Sequence, residues 1–152
     1  MKTLTLLRHA KSSWSDPVLR DFARPPNARG RRAARAIGRE MREQRLAFDR
    51  VLASPAARVG ETLRDLEEGY GHALHADYDR RVYMATAELL LDLIHETDDD
   101  ATDLLIVGHN PGLERLALML AEAGLLRSEI EVKYPTGALT QITFAVDSWA
   151  DV

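Results

Sequence analysis

The chain has 152 residues, of which 45% are hydrophobic and 29% are charged, and its formal net charge is −4. This length and composition are typical of a single globular domain, so we expect one domain over 1–152. The chain contains no cysteine, which excludes disulfides, thiolate nucleophiles and cysteine-ligated metal sites.

Targeting signals and large interaction surfaces are also not indicated by the sequence. No apolar run approaches the ~20 residues of a membrane helix, and the apolar stretch before Arg8 is too short for a signal peptide. The acidic net charge argues against non-specific binding of nucleic acid. We therefore expect a cytoplasmic protein that binds neither membranes nor nucleic acid.

Apolar runs alternate with amphipathic segments along the chain, which is typical of an α/β fold. The segment 103–107 is apolar from Leu104 to Val107, which favours a central parallel strand covered on both faces. The segment 139–146 alternates in part and is predicted as an edge strand. The five predicted strands are 3–7, 49–53, 73–78, 103–107 and 139–146, the third having the weakest pattern.

Four helices are predicted between these strands. Asn27, Ser54 and Thr86 are good N-cap residues, and Pro55 and Pro111 suit the first helical position. The apolar positions repeat at helical spacing in each: Gly30, Ala34, Ile37 and Met41; Ala56, Val59, Leu63 and Leu66; Leu89, Leu90, Leu93 and Ile94; Leu113, Leu116, Ala117 and Leu120. The predicted fold is a three-layer α/β/α arrangement around a mostly parallel sheet.

Three polar clusters follow predicted strands. Arg8-His9 follows the first strand, the segment 54–58 follows the second, and Gly108-His109-Asn110 follows the fourth. Ligands of open α/β sheets bind beyond the carboxyl ends of the strands. If these strands are parallel neighbours, two histidines and two arginines meet at one edge of the sheet.

Such a cluster suits a phosphate group better than a metal ion. The N–H donors of Arg8 and Arg58 match phosphate oxygens, and their charge repels a cation. Arg58 also lies near the start of a predicted helix, where an anion is favoured. Cationic neighbours lower the pKa of an imidazole, so we expect His9 to be an unprotonated nucleophile, with His109 and the arginines stabilising the phosphoryl charge. We expect no metal and no cofactor.

The motifs resemble those of the histidine phosphatase superfamily, the phosphoglycerate-mutase-like fold. Leu6-Leu7-Arg8-His9-Ala10-Lys11-Ser12 resembles the first motif, Ser54-Pro55-Ala56-Ala57-Arg58 the second and Val107-Gly108-His109-Asn110-Pro111 the third. Within the superfamily, these motifs and Arg24-Pro25-Pro26 are similar to the SixA group of phosphohistidine phosphatases. The resemblance implies that His9 becomes phosphorylated, that Arg8, Arg58 and His109 surround the phosphoryl group, and that Arg24 lies at the edge of the pocket.

The sequence departs from the mutase-type members at two places. They carry Asn six residues after the nucleophile, where this chain has Ser15, and they carry a glutamate that donates a proton. Asp21, Asp79 and Glu88 are the candidates for that donor. Without a clear donor, cleavage of alkyl phosphates is disfavoured more than cleavage of phosphohistidine, because an imidazole leaving group carries its own proton near neutral pH.

The remaining candidates have weaker signals. Lys11, Ser12 and Ser15 are typical of loop residues, and a phosphate contact by one of them, for which Ser15 is the candidate, stays open. Asn110 is a candidate substrate-binding residue that orients its loop, but capping of the following helix is favoured. Arginines between 29 and 45 form a basic helix, for which a solvated face that steers acidic partners is favoured over a nucleic-acid surface.

The functional hypothesis is a metal-independent phosphatase that dephosphorylates phosphohistidine on a protein. The alternatives are a phosphatase of small phosphate esters and a phosphate-binding module without catalysis.

Overall fold

The structure is a computed structural model that describes residues 1–9, 13–122, 126–134 and 137–152. Within these residues the strands are β1 (Lys2–Arg8), β2 (Arg50–Ala53), β3 (Asp77–Tyr78), β4 (Asp103–Gly108), β5 (Leu126–Tyr134) and β6 (Gly137–Phe144). The helices are α1 (Ala28–Glu43), α2 (Ala57–Tyr70), α3 (Ala87–His95) and α4 (Gly112–Glu122). Short 3-10 helices span Asp21–Ala23, Arg80–Val82 and Trp149–Asp151.

The strands described form one sheet in the order β3-β2-β4-β1-β6-β5. The first four strands of that order are parallel, whereas β6 is antiparallel to β1 and β5 is antiparallel to β6. In the parallel register Arg8 lies opposite Gly108, and Ala53 lies opposite Val107. The carboxyl ends of β1, β2 and β4 therefore meet at the same edge of the sheet.

Alternate residues of the central strands contribute to two separate cores. Leu104 and Ile106 pack on the face covered by α3 and α4, whereas Leu105 and Val107 pack on the face covered by α1 and α2. Residues 104–107 are all buried because both faces of β4 are covered. The three-layer arrangement and the central parallel position of this strand are confirmed.

Two of the three predicted N-cap residues, Asn27 and Thr86, are confirmed. The Asn27 side chain accepts a hydrogen bond from the Gly30 N–H, and the Thr86 hydroxyl accepts one from the Leu89 N–H. The prediction that Ser54 caps the second helix is wrong. Ala56 is the N-cap of α2, and Ser54 is fully buried two residues earlier.

Two predictions for the strands also need correction. The last strand, β6, is not at an edge, because β5 pairs with it on its far side. The strand β5, which pairs with β6 and takes the edge position, was not predicted from the sequence. The predicted strand 73–78 is reduced to two residues, Asp77 and Tyr78, in β3.

The carboxyl edge of the sheet is held together by backbone hydrogen bonds beyond the strands. The His9 N–H donates to the Gly108 carbonyl at 3.1 Å, and the Ser54 N–H donates to the Val107 carbonyl at 3.1 Å. The chain leaving β1 and the chain leaving β2 are thus both tied to the end of β4. These bonds place the segments of His9, Ser54 and His109 side by side.

Candidate active site

Arg58 is the centre of the cluster at this edge. It is the second residue of α2, and its side chain is buried. Its Nε donates to Nε2 of His9 at 3.3 Å, and its Nη2 donates to Nδ1 of His109 at 3.1 Å. The centroids of the two imidazole rings lie 5.2 Å apart. One guanidinium therefore joins two histidines that are 100 positions apart in the sequence.

The hydrogen bonds of Arg58 determine which ring nitrogens carry protons. A guanidinium only donates, so Nε2 of His9 and Nδ1 of His109 are acceptors and are unprotonated. The other nitrogen of His109, Nε2, lies 2.7 Å from the Ser54 Oγ and donates to it. Ser54 thus fixes the tautomer of His109, and His9 presents an imidazole lone pair at Nε2.

The electrostatics of the cluster keep His109 neutral. Burial, followed by the charge of Arg58, lowers the pKa of His109 to about 3. The charge of Asp21 acts in the opposite direction but is the smallest of these effects. At neutral pH the described cluster contains a permanent cation at Arg58 beside a neutral imidazole at His109.

Asp21 and Tyr83 hold the other side of the guanidinium. Nη1 of Arg58 donates to the Asp21 backbone carbonyl at 2.7 Å, and Nη2 donates to the Asp21 Oδ2 at 3.0 Å. The Tyr83 hydroxyl donates to the same carboxylate oxygen. The Tyr83 ring also meets the His109 ring edge-on, with centroids 5.4 Å apart, and Arg58 lies 5.8 Å from its centroid. These contacts restrict the guanidinium to one orientation.

The carboxyl group of Asp21 is ionised in this arrangement. The Tyr83 hydrogen bond lowers the pKa of Asp21, and the hydrogen bond and charge of Arg58 lower it further, against an opposing effect of burial. The same hydrogen bond, with burial, raises the pKa of the Tyr83 hydroxyl. Asp21 is therefore a poor proton donor as it stands and acts as a counter-ion of Arg58.

The structure brings together three of the four residues predicted to be catalytic: His9, Arg58 and His109. The fourth, Arg8, ends β1 next to His9, and its side chain is exposed. Among the described residues, no hydrogen bond or ion pair joins the Arg8 side chain to the other three.

The three predicted substrate-binding residues are Arg24, Ser15 and Asn110. Among the described residues, no hydrogen bond joins their side chains to His9, Arg58 or His109. Arg24 is buried, its Nη1 donates to the Asp16 carbonyl at 2.9 Å, and its guanidinium stacks 3.8 Å from the Trp14 ring centroid. Ser15 is exposed, and its hydroxyl lies 2.9 Å from that of Ser13. Asn110 is half-buried directly after His109. Lys11 and Ser12, for which a phosphate contact stays open, lie outside the described residues.

Of the three candidates for a proton donor, only Asp21 touches the cluster. The Asp79 carboxylate accepts from the Arg81 N–H and pairs with the Arg81 guanidinium at 2.8 Å. Glu88 is exposed in the first turn of α3.

Sequence reasoning missed Tyr83 as part of the site and Ser54 as the partner of His109. Tyr83 follows a 3-10 helix and belongs to none of the three motifs, so no local pattern marks it. Ser54 does belong to a motif. Because Pro55 follows it and proline suits the first position of a helix, Ser54 was predicted to be a helix cap.

The part of the chain that the structure describes contains no group of three or more metal-ligating side chains arranged to hold a metal ion. Over the same residues, no helix is both long enough and apolar enough to cross a membrane.

A profile of the histidine phosphatase superfamily, branch 1, matches residues 4–83 of the chain. An uncharacterised protein of Mycobacterium tuberculosis is 35% identical over 150 residues, which cover 96% of this chain and 91% of that protein.

Solved structures of similar proteins share the fold. A candidate phosphohistidine phosphatase SixA from Agrobacterium tumefaciens superposes with a TM-score of 0.71 at 31% identity, covering 78% of this chain and 76% of the other. A protein histidine phosphatase SixA complexed with tungstate gives a TM-score of 0.74 at 21% identity, covering 93% of this chain and 87% of the other. The phosphoglycerate-mutase-like fold predicted from the motifs is confirmed by these matches.

Proposed function

We propose that this chain, which belongs to branch 1 of the histidine phosphatase superfamily, dephosphorylates phosphohistidine on a protein through a phosphorylated His9. Family and fold together support phosphatase activity. The observation that carries the finer proposal is the geometry of Arg58, whose guanidinium donates to both histidine rings from a buried position.

In the first step, the lone pair on Nε2 of His9 attacks the phosphorus atom of the substrate. An N–P bond forms at His9 as the P–N bond of the substrate phosphohistidine breaks, and the bonding pair stays on the released nitrogen. The departing imidazole is neutral because its other ring nitrogen already carries a proton near pH 7. Arg58 donates hydrogen bonds to the phosphoryl oxygens as charge moves onto them, and Arg8 supplies further positive charge at the mouth of the site.

In the second step, water attacks the phosphorus of phosphorylated His9. The P–O bond forms as the N–P bond breaks, which restores the imidazole and releases inorganic phosphate. The bound phosphoryl oxygens stay near Arg58 in both steps, so one set of donors stabilises both transition states. A related SixA protein is known with tungstate bound, and tungstate is a tetrahedral oxyanion like phosphate.

The state of the carboxyl groups favours phosphohistidine over alkyl phosphates. An alkoxide leaving group needs a proton from an acid, whereas imidazole is stable as a neutral leaving group near pH 7. Asp21 is the one proposed donor in contact with the cluster, and its pKa is lowered by Tyr83 and Arg58. We therefore place small phosphate esters second as substrates.

Rapid-quench trapping of the enzyme with a phosphohistidine substrate labelled with ³²P tests the proposal. We expect label on His9 that survives alkali and is lost in acid, and no label or turnover with His9→Ala. Arg58→Ala should lower kcat by about 10²–10³-fold, as measured for single donors that stabilise a developing oxyanion. Arg64→Ala is the matched control, because Arg64 is exposed on the same helix, and it should leave kcat unchanged.

The outcome also separates the alternatives. Comparable kcat/KM values for phosphohistidine and for aryl or alkyl phosphates would favour a general phosphatase of small esters. If the protein binds phosphate but releases none from either class of substrate, it is a phosphate-binding module without catalysis. Turnover by His9→Ala at the wild-type rate would disprove the role of His9.

A further inference from the structure

We propose that four exposed apolar side chains beside the site, Trp14, Val18, Leu19 and Met84, bind the surface of the phosphorylated protein around its phosphohistidine. We call these four residues the apolar rim. The inference rests on the proposed function and names the surface features of the partner, which are apolar and acidic side chains flanking the phosphohistidine.

The first argument is the uneven distribution of exposed apolar side chains. Among the described residues, seven large hydrophobic side chains are exposed, and four of them form the apolar rim. Trp14 is 67% exposed, Val18 87%, Leu19 36% and Met84 49%. Three of them lie at 14–19, between the site residues His9 and Asp21, and Met84 follows the site residue Tyr83. Exposing these groups to water is unfavourable, so their position along the chain next to site residues indicates a surface that is covered in a complex.

The second argument is that contacts connect the apolar rim to the catalytic cluster. The Met84 Sδ lies 3.8 Å from Nη2 of Arg58. Trp14 stacks on Arg24, whose backbone N–H donates to the Asp21 carbonyl at 3.1 Å. Asp21 in turn binds Arg58. Met84 and Trp14 are therefore both linked by contacts to the guanidinium that binds His9, so a protein whose phosphohistidine reaches His9 comes close to them.

The third argument is the positive charge of three exposed arginines that lie near the site residues in the sequence. Arg8, Arg20 and Arg80 are exposed, and none of them forms an ion pair with another described residue. The nearby carboxylates of Asp16, Asp21 and Asp79 already have partners within this chain. The charge left for a partner is therefore positive, which complements acidic side chains next to a phosphoryl group.

The carboxylates of Asp16, Asp21 and Asp79, which lie near the exposed arginines in the sequence, each have a partner within the chain. Asp16 Oδ1 accepts from the Val18 N–H at 3.0 Å, Asp21 binds Arg58, and Asp79 binds Arg81. The combination of an exposed tryptophan, an adaptable methionine and unpaired arginines is typical of the residues that carry most of the binding energy in protein interfaces. A two-fold contact between this surface and the same surface of a second copy is disfavoured, because it would bring the exposed arginines of the two copies together.

Synthetic phosphohistidine peptides test the inference directly. One peptide flanks the phosphohistidine with Leu, Phe, Asp and Glu, a second peptide flanks it with Gly and Ser, and free phosphohistidine is the third substrate. We expect wild type to show a kcat/KM about tenfold higher or more for the first peptide than for the other two substrates. Val18→Ser and the double variant Trp14→Ala/Val18→Ser should reduce that preference, the double variant nearly to parity.

The controls separate docking from catalysis and from folding. Leu118→Ser is the matched control, because Leu118 is 61% exposed on α4, and it should keep the preference. Both rim variants should hydrolyse free phosphohistidine at the wild-type rate, which shows that the site is intact. Val18→Ser changes a side chain that is almost fully exposed, so loss of folding does not explain its effect.

Three results would overturn the inference. The first is a wild-type enzyme that cleaves all three substrates equally well, and the second is a preference that survives in the double variant. The third is binding of anionic phospholipid vesicles that depends on Trp14 and Val18 while the peptide preference does not, which would assign the apolar rim to a membrane. If wild type cleaves no phosphohistidine compound at all, the proposed function fails and this inference fails with it.

Discussion

A buried arginine is costly unless its donors are satisfied, and Arg58 meets this condition with partners from distant parts of the chain. Its three nitrogens bind His9, His109 and Asp21. These contacts hold the guanidinium in position before any substrate arrives. Preorganised donors of this kind stabilise developing charge without reorganising during the reaction, so the desolvation cost of Arg58 is consistent with a catalytic role.

The acid stability of the protein should report the buried state of His109. Burial and Arg58 lower its pKa to about 3 in the folded protein, whereas the unfolded value is near 6.5. The unfolded chain therefore binds the proton more readily, so the stability from neutral His109 is complete above pH 6.5 and is lost as the pH falls towards 3. Between about pH 7.5 and pH 5, we expect this group to lower the free energy of unfolding by about 2 kcal/mol.

Urea unfolding of wild type and His109→Gln at the two pH values measures this contribution. The variant has no titrating group at position 109, so its free energy of unfolding should fall less over the same interval. An identical pH dependence in both proteins would contradict the lowered pKa of His109.

The position of Arg58 depends on how closely α1 and α2 approach each other. Glycines lie at the crossing: a Cβ on Gly38 would collide with the Leu66 carbonyl oxygen, and a Cβ on Gly69 with the Arg35 carbonyl oxygen. Arg31 and Arg35 of α1 pair with Asp65 of α2 beside the crossing. The helix that carries Arg58 is therefore seated by backbone contact, which explains why glycine is required at these two positions.

We predict that Gly69→Ala destabilises the protein by about 1–3 kcal/mol, the usual cost of overpacking, because the two helices must separate. Gly60→Ala is the matched control on the same helix, since the nearest atom to its Cβ, the Tyr78 hydroxyl oxygen, is 4.0 Å away. That change should be neutral or stabilising by up to about 1 kcal/mol, because alanine favours the helix. Thermal or urea unfolding compares the two variants, and equal stabilities would contradict the close crossing.

For the whole molecule, the placement of charge matters more than its sum. The net charge is −4, yet the carboxyl edge of the sheet carries Arg8, Arg58 and the exposed Arg20 and Arg80. An anion is attracted to this local cluster, particularly where a buried guanidinium is screened little by solvent.

Binding of an oxyanion should therefore stabilise the whole fold. At about 100 times its Kd, tungstate should add about 2.7 kcal/mol, which corresponds to a rise in Tm of roughly 5–10 °C for a domain of this size. Differential scanning fluorimetry should detect the shift in wild type and in Arg39→Ala, whose exposed arginine lies on α1. Arg58→Ala should lose it, and an equal shift in that variant would place the anion elsewhere.

Sequence patterns predicted much of the architecture because they report local preferences. The buried run Leu104 to Val107 and the caps Asn27 and Thr86 each depend on neighbours within a few positions, and all three predictions are confirmed. The edge position of the last strand was wrong, because a strand's neighbours are set by pairing with distant segments and not by its own alternation.

By itself, the sequence determined the fold class, the strands that precede Arg8-His9, Ser54 and Gly108-His109, and the motifs of His9, Arg58 and His109. Only the tertiary structure decided that Ser54 binds His109 instead of capping α2, and that Asp21 and Tyr83 orient Arg58. The physical reason is that a side-chain hydrogen bond depends on the distance between two groups in space. Residues as far apart as Asp21 and Tyr83 acquire that distance only when the sheet and its helices have packed.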